Sequence, residues 1–160
     1  MSEQALVTQL EKLLELHQEL LALSQQKTEV VKKGDMENLQ HMIKQEQKLI
    51  IEIDRAEKER QAAAQTMVPS VEKPALDDCL PLLSQEQRAR LIDLREKLQA
   101  VIAEIEIQNH LNYELIQQSL HFIHVSLNLF RPKEEAINYG PPKGQKPKVT
   151  VPAGMFQTKA

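Results

Sequence analysis

Hydrophobic side chains recur every three or four positions along most of the chain, which is the spacing of one face of an α-helix. The pattern predicts a first helix from about residue 3 to Lys33. One stripe of this helix consists of Leu6, Leu10, Leu13, His17, Leu20, Ser24 and Val31. Additional leucines at Leu14, Leu16, Leu21 and Leu23 widen the apolar surface, so this helix is expected to contact more than one neighbour.

A short turn then predicts that the chain reverses. Gly34 suits the left-handed position after a helix, and Asp35 is a favourable N-cap for the next one. The second helix covers about residues 36–66, with a stripe of Met36, Leu39, Met42, Ile43, Leu49, Ile50 and Ile53. Glu46 interrupts this stripe near Lys27 and Ser24 of the first helix, and it is interpreted as part of a polar layer that fixes helix register.

Residues 67–84 contain three prolines and no long periodic pattern, which indicates a linker. Ser84 and Gln87 then form a capping-box signal that opens a third long helix over about residues 85–130. Its main stripe is Leu91, Leu94, Leu98, Ile102, Ile105, Asn109, Asn112 and then Ile116 onward. At 1.5 Å per residue this helix is roughly 70 Å long, against roughly 45 Å for each of the first two.

The latter half of the third long helix carries two apolar stripes instead of one. The first contains Ile116, Leu120, Ile123, Leu127 and Phe130, and the second contains Leu115, Phe122 and Leu129. Because the helical hairpin is too short to cover the whole helix, this half is expected to retain surplus apolar surface.

These elements predict an all-α protein: an antiparallel helical hairpin plus one long third helix, forming an elongated three-helix bundle or coiled coil. The helical domain is expected to occupy residues 1–131. Residues 132–160 are rich in Pro, Gly and Lys, and they are expected to form a disordered tail.

Composition and charge point to binding, with no sign of catalysis. The net charge of −3 and the lack of a basic patch give no reason to expect nucleic-acid binding. Cys79 is the single cysteine, so no internal disulfide forms, and a reducing, cytoplasmic location is expected. Neither a signal peptide nor an apolar run of membrane-spanning length is apparent.

No residue pattern indicates an enzyme, a metal site or a cofactor. His121 and His124 share a helix face but lack acidic or cysteine partners, and His17 is interpreted as a partly buried core histidine. Asp77 and Asp78 beside Cys79 are expected to raise the pKa of its thiol. Function is therefore expected to reside in surfaces, and periodicity leaves two occupants open: a foreign amphipathic helix, or self-contact within the chain or between two copies.

The sequence resembles the FlgN family of flagellar type III export chaperones over nearly its whole length. The resemblance is carried by the leucine-rich hairpin with its "KKGD" turn, the helix that ends in "EKER", the later "NHLNYELIQQSL" and the tail segment "YGPPKGQ". This order of features is more specific than the leucine-rich hairpin alone. The tail departs from the family's Tyr-Gly-x-x-Gly-Gln pattern by one extra residue between the glycines.

The resemblance implies a cytoplasmic chaperone that binds the C-terminal segments of the hook-filament junction proteins FlgK and FlgL as helices. It also implies delivery of these substrates to the export gate, with FlhA as the partner of the tail. Family substrate binding toward the C-terminal helix transfers to Leu115, Ile116, Leu120, Phe122, Ile123, Leu127 and Phe130. The gate-docking tyrosine corresponds to Tyr139. A self-associating coiled-coil scaffold, including a homodimer of the free protein, is the alternative.

Overall fold

The described part of the chain, residues 2–130 of a computed structural model, is built from α-helices joined by short connections. Helix α1 spans Ser2–Lys33, α2 spans Met36–Met67, α3 spans Leu76–Cys79 and α4 spans Gln85–Leu129. A 3₁₀ turn at Leu80–Leu82 connects α3 to α4. Residues 2–130 contain no strand. The predicted all-α fold class is therefore confirmed.

The chain divides into two compact units, and their boundary lies within α4. The first unit ends at Ser119 and includes α1, α2, α3 and most of α4. The second begins at Leu120, and its described part is the last turns of α4 and Phe130. Helix α4 continues without a break through Asn109 and Asn112.

Local capping interactions set the ends of the long helices as their sequence signals predict. Gly34 ends α1 with a φ of 70°, a conformation that favours glycine. The Asp35 side chain accepts a hydrogen bond from the Asn38 backbone N–H at 3.1 Å and caps α2. At the start of α4, the Gln87 N–H donates to Ser84 Oγ at 3.2 Å, and the Ser84 N–H donates to Gln87 Oε1 at 3.3 Å. This reciprocal pair is the predicted capping box.

The hydrophobic core lies in the first unit, and α1 supplies the largest share of it. Apolar side chains of α1 pack against small side chains of α2 and against leucines of α4. The members are Leu6, Val7, Leu10, Leu13, Leu16, Ala56, Ala63, Ala64, Cys79, Leu83, Leu91 and Leu94. Three alanines on α2 leave room for close approach of the helices. Helix α1 therefore contacts two neighbours, in line with its wide apolar surface.

The segment predicted as a linker contributes to this core instead of crossing the surface as plain coil. It forms α3 and the 3₁₀ turn, and it buries Cys79 completely and Leu83 almost completely. Asp77 forms an ion pair with Arg95 of α4 at 2.6 Å, and Arg88 donates to the Leu80 carbonyl at 3.1 Å. Prolines interrupt the periodic pattern here, so periodicity did not indicate that these apolar residues pack against distant leucines.

The predicted stripe of α2 is only partly buried. Leu39 is buried and Met42, Leu49 and Ile53 are half-buried, whereas Met36, Ile43 and Ile50 are exposed. The inclusion of the last three in a core-facing stripe was wrong. They are spaced by seven residues and lie roughly 60–160° around the helix axis from Ile53 and Ala56, which face the core.

A polar layer joins α1 to α4 at the point where the apolar core ends. It consists of Ser24 and Thr28 on α1 and Gln108, Asn109 and Asn112 on α4. Ser24 Oγ donates to Asn109 Oδ1 at 2.7 Å, and Asn112 Nδ2 donates to the Ser24 carbonyl at 2.9 Å. The Thr28 hydroxyl donates to Asn112 Oδ1 and accepts from Gln108 Nε2. Ser24, Thr28 and Asn112 are all buried, so these partners replace the water that the polar groups lose.

A charged pair joins α1 to α2 close to this layer. Lys27 Nζ donates to Glu46 Oε2 at 2.8 Å, and both side chains are mostly buried. The predicted proximity of Glu46 to Lys27 is confirmed. The pair fits only one alignment of the two helices, because a shift would leave a charge buried without its partner.

Replacing Asn112 should destabilise the bundle, because the groups on α1 that hydrogen-bond to its side chain would be left buried without a partner. We expect Asn112→Ala to lower the free energy of unfolding by about 1–3 kcal/mol, because the buried Ser24 carbonyl and Thr28 hydroxyl lose hydrogen bonds. Urea denaturation measures this change. Asn128→Ala, at an exposed asparagine of the same helix, is the matched control and should change stability by less than about 0.5 kcal/mol. Equal effects of the two variants would contradict a stabilising role for the layer.

Cys79 should resist alkylation in the folded protein. Burial and the nearby Asp78 carboxylate raise the pKa of the Cys79 thiol, and the thiolate is the reactive form. We expect iodoacetamide to modify the native protein much more slowly than the urea-unfolded chain, as followed by mass spectrometry. Because the unfolded thiol ionises more readily, stability should also fall as the pH rises above about 8.5.

A cysteine at an exposed position supplies the control for this measurement. Ala89→Cys in a Cys79→Ala background places a thiol on the exposed side of α4. The native wild-type protein should react far more slowly than this variant, and equal rates would show that Cys79 is accessible.

Candidate substrate-binding surface

The described residues contain no cluster suited to metal binding. Within residues 2–130, no three His, Cys, Asp or Glu side chains come together as a metal site would require. His121 and His124 are exposed. His17 is half-buried, and its Nδ1–H donates to the Leu13 carbonyl at 2.6 Å, as expected for a partly buried core histidine. The same residues include no helix with the length and hydropathy to cross a membrane.

The second unit exposes five of the predicted binding residues. Leu120, Phe122, Ile123, Leu127 and Phe130 are between 53% and 85% exposed. Large aliphatic and aromatic side chains exposed together on one short segment indicate an interaction surface. Isolated exposed apolar residues are ordinary on any protein, but these lie within eleven consecutive positions.

Helical spacing arranges these side chains on two sides of the segment. Leu120, Ile123, Leu127 and Phe130 follow one another at intervals of three or four. The first three therefore share one face of α4, and Phe130 continues the same spacing directly after the helix ends. Phe122 and the similarly exposed Leu129 are seven residues apart and lie on another side. Both predicted apolar stripes are therefore exposed within residues 120–130. The spacing argument did not mark Val125, which is exposed as well.

Leu115 and Ile116 differ from the other predicted binding residues. They belong to the first unit and are half-buried. Tyr139, the predicted gate-docking residue, lies outside the described residues. The predicted set therefore comprises five exposed side chains in the second unit, two partly covered side chains in the first and one position without structural description.

The composition of this surface determines what it can bind. Between Glu114 and Arg131 the chain has no Asp, Glu, Lys or Arg, and His121 and His124 are its only titratable side chains. An uncharged, apolar helical surface gains free energy by burying area from water, without a need for ion pairing. Its chemistry suits an apolar stripe on a partner helix.

Comparison with known proteins identifies the family of the chain. The family model described as "FlgN protein" matches residues 1–147, a range that includes every predicted binding residue and Tyr139. The uncharacterized protein YvyG of Bacillus subtilis (strain 168) is 32% identical over 161 residues, and the match covers all of both chains. No solved structure matches the chain significantly. Because the family match extends over most of the sequence, the chain belongs to the FlgN family of flagellar export chaperones.

Proposed function

We propose that this protein is the cytoplasmic chaperone of the hook-filament junction proteins FlgK and FlgL. It binds their amphipathic C-terminal segments, prevents their premature association and helps to deliver them to the flagellar type III export gate. The observation that carries this proposal is the uncharged apolar surface at residues 120–130, where five predicted binding residues are more than half exposed.

The proposed substrate segment binds as an amphipathic helix. Its apolar stripe packs on Leu120, Ile123, Leu127 and Phe130, while Phe122 contacts a second part of the substrate. Burying one aliphatic or aromatic side chain contributes about 1.5–3 kcal/mol, and several such residues offset the entropy lost when a flexible segment becomes ordered. A segment held in this way is unavailable for self-association, so protection follows from mass action.

Leu115 and Ile116, which belong to the first unit, are proposed as additional substrate contacts. Because they are already half-buried, they have less apolar area to contribute than the residues after Leu120. Substitutions in the second unit therefore provide the sharper test of binding, since they disturb the bundle of the first unit least.

The tail has a separate proposed role. Tyr139 is the candidate contact to the gate protein FlhA, and residues 132–160 serve delivery and do not hold the substrate. Separation of the two roles allows the chaperone to dock while its substrate remains bound.

The alternative function is a self-associating helical scaffold with no export role. Exposure of the same apolar surface also permits pairing with a second copy of the chain. Sedimentation of the isolated protein separates the alternatives. The scaffold is supported by a tight dimer that persists on dilution and that dissociates when Ile123→Asp is introduced. A monomer that forms a one-to-one complex with junction-protein peptides supports the chaperone.

A charge placed on the exposed face should weaken substrate binding without unfolding the protein. We expect Ile123→Asp to weaken binding of a FlgK or FlgL C-terminal peptide by at least about tenfold, because a carboxylate would have to be buried in an apolar contact. Isothermal titration calorimetry measures the affinity, and circular dichroism should report unchanged helix content.

Asn128→Asp is the matched control for this substitution. It adds the same carboxylate to an exposed position on the polar side of the same helical segment, so peptide affinity should stay within about twofold of the wild type. If Ile123→Asp binds as tightly as Asn128→Asp, the proposed surface is wrong.

Deletion of residues 132–160 should separate delivery from binding. We expect the truncated protein to bind junction-protein peptides as the full chain does, but to lose association with the cytoplasmic domain of FlhA. In the full chain, Tyr139→Ala should reduce that association by at least about tenfold, whereas Tyr139→Phe should retain most of it because the aromatic ring remains. Loss of peptide binding on truncation would instead place the tail within the substrate surface.

A further inference from the structure

Ser126 has the smallest side chain in the described part of the second unit, and it lies between the two exposed apolar stripes. Phe122 and Ile123 precede it by four and three residues. Leu129 and Phe130 follow it by three and four residues. At 100° per residue, each of these four lies only about 40–60° around the helix axis from Ser126. One small residue is therefore surrounded by four large apolar ones.

Burial shows that Ser126 forms the floor of a depression. It is half-buried, whereas every other described residue of the second unit is exposed. The four surrounding side chains are between 53% and 85% exposed. The Phe130 N–H donates to the Ser126 carbonyl at 3.2 Å, so the helical hydrogen bonding continues to Phe130. Side chains on a helix lean toward its N-terminus, which inclines Leu129 toward Ser126. We call Ser126 and the four surrounding residues the Ser126 socket.

The socket has the form that accepts a large side chain from a facing helix. In helix–helix packing, a side chain of one helix inserts into a hole formed by four residues of the other. Ile123 and Phe130 belong to the first apolar stripe, and Phe122 lies with Leu129 in the second. A side chain seated over Ser126 therefore contacts both stripes at once. Because the socket carries no charge, an aliphatic or aromatic side chain suits it.

We infer that Ser126 sets the register of the bound substrate: one large aliphatic or aromatic side chain of the substrate helix inserts over it, between the four surrounding residues. This inference rests on the proposed chaperone function, and membership of the FlgN family supports an export substrate as the occupant. The substrate helix lies along the line between the two stripes and buries area from both. Since close-packed contacts leave little spare volume, insertion requires a small residue at the floor.

Filling the socket distinguishes insertion from simple burial of apolar area. Ser126→Leu adds apolar area, so binding that depended on area alone would become tighter. Insertion predicts the reverse. We expect the full-length variant to bind a FlgK or FlgL C-terminal peptide at least about tenfold more weakly than the wild type, because the leucine occupies the space of the inserted side chain. Ser126→Ala keeps the floor small and should bind within about threefold of the wild type. Isothermal titration calorimetry measures both affinities.

Asn128→Leu is the matched control for the added leucine. It places the same side chain at an exposed position on the polar side of the same helical segment, outside the socket. Peptide affinity should not fall in this variant. Leucine has a high helix propensity, so circular dichroism should report undiminished helix content for both leucine variants.

A compensating change in the peptide identifies the inserted side chain. Each large apolar residue of the peptide is replaced by alanine in turn. One replacement should weaken binding to the wild type at least about tenfold, because the socket is left empty. Ser126→Leu should bind that same alanine peptide at least about threefold tighter than the unmodified peptide, because its leucine fills the vacated space.

Two kinds of failure are distinguishable. If the wild type binds the peptides and Ser126→Leu binds them equally well or better, the inference is overturned and the proposed chaperone function stands. The same conclusion follows if Asn128→Leu loses as much affinity as Ser126→Leu, or if no alanine peptide restores binding to Ser126→Leu. Failure of the wild-type protein to bind any junction-protein peptide would overturn both the inference and the proposed function.

Discussion

The hydrogen bonds between Ser24, Thr28, Asn109 and Asn112 fix the position of α4 along α1. Apolar packing alone is non-directional, and a leucine seam tolerates displacement by a helical repeat at modest cost. A buried amide and hydroxyl do not tolerate it, because displacement would leave each of them without a partner. The layer thus converts an adaptable helix–helix contact into one with a defined alignment.

Helix α1 is the element through which this alignment reaches the rest of the first unit. Its apolar side chains pack with both α2 and α4, Lys27 pairs with Glu46 of α2, and its polar pair meets the asparagines of α4. Lys27 therefore sets the alignment of α2 along α1, and the polar residues one turn away on α1 set the alignment of α4. The segment around Cys79 and Leu83 covers the core nearer the start of α4, so the unit is held by apolar packing there and by polar contacts farther along.

The sequence predicted those features that depend on neighbouring residues, and it missed those that depend on distant ones. Gly34, Asp35 and the Ser84–Gln87 pair act within one helical turn, so their roles follow from residue type. Glu46 near Lys27 could be predicted because a two-residue turn fixes the pairing of the hairpin. In contrast, the partners of Asn109 and Asn112 lie more than eighty residues away, and periodicity marked them only as polar members of an apolar stripe.

Burial was the least predictable property of the apolar residues. Periodicity assigned Met36, Ile43 and Ile50 to the same stripe as the buried Leu39, because it records which residues share a side of a helix but not how far a neighbour extends over that side. The same limitation concealed the buried Cys79 within a proline-rich segment. At residues 120–130 the prediction depended instead on a surplus of apolar positions relative to available neighbours, and those side chains are exposed.

Absence of charge at the end of α4 has a consequence for specificity in the proposed chaperone. An apolar surface accepts any helix with a suitable stripe, since burial depends on area and shape and not on matched polar groups. Such tolerance suits a protein proposed to bind two different junction proteins, but it gives little discrimination against other amphipathic segments. Discrimination then has to come from charged or hydrogen-bonding groups outside this surface, because opposite charges favour one partner while like charges penalise the rest.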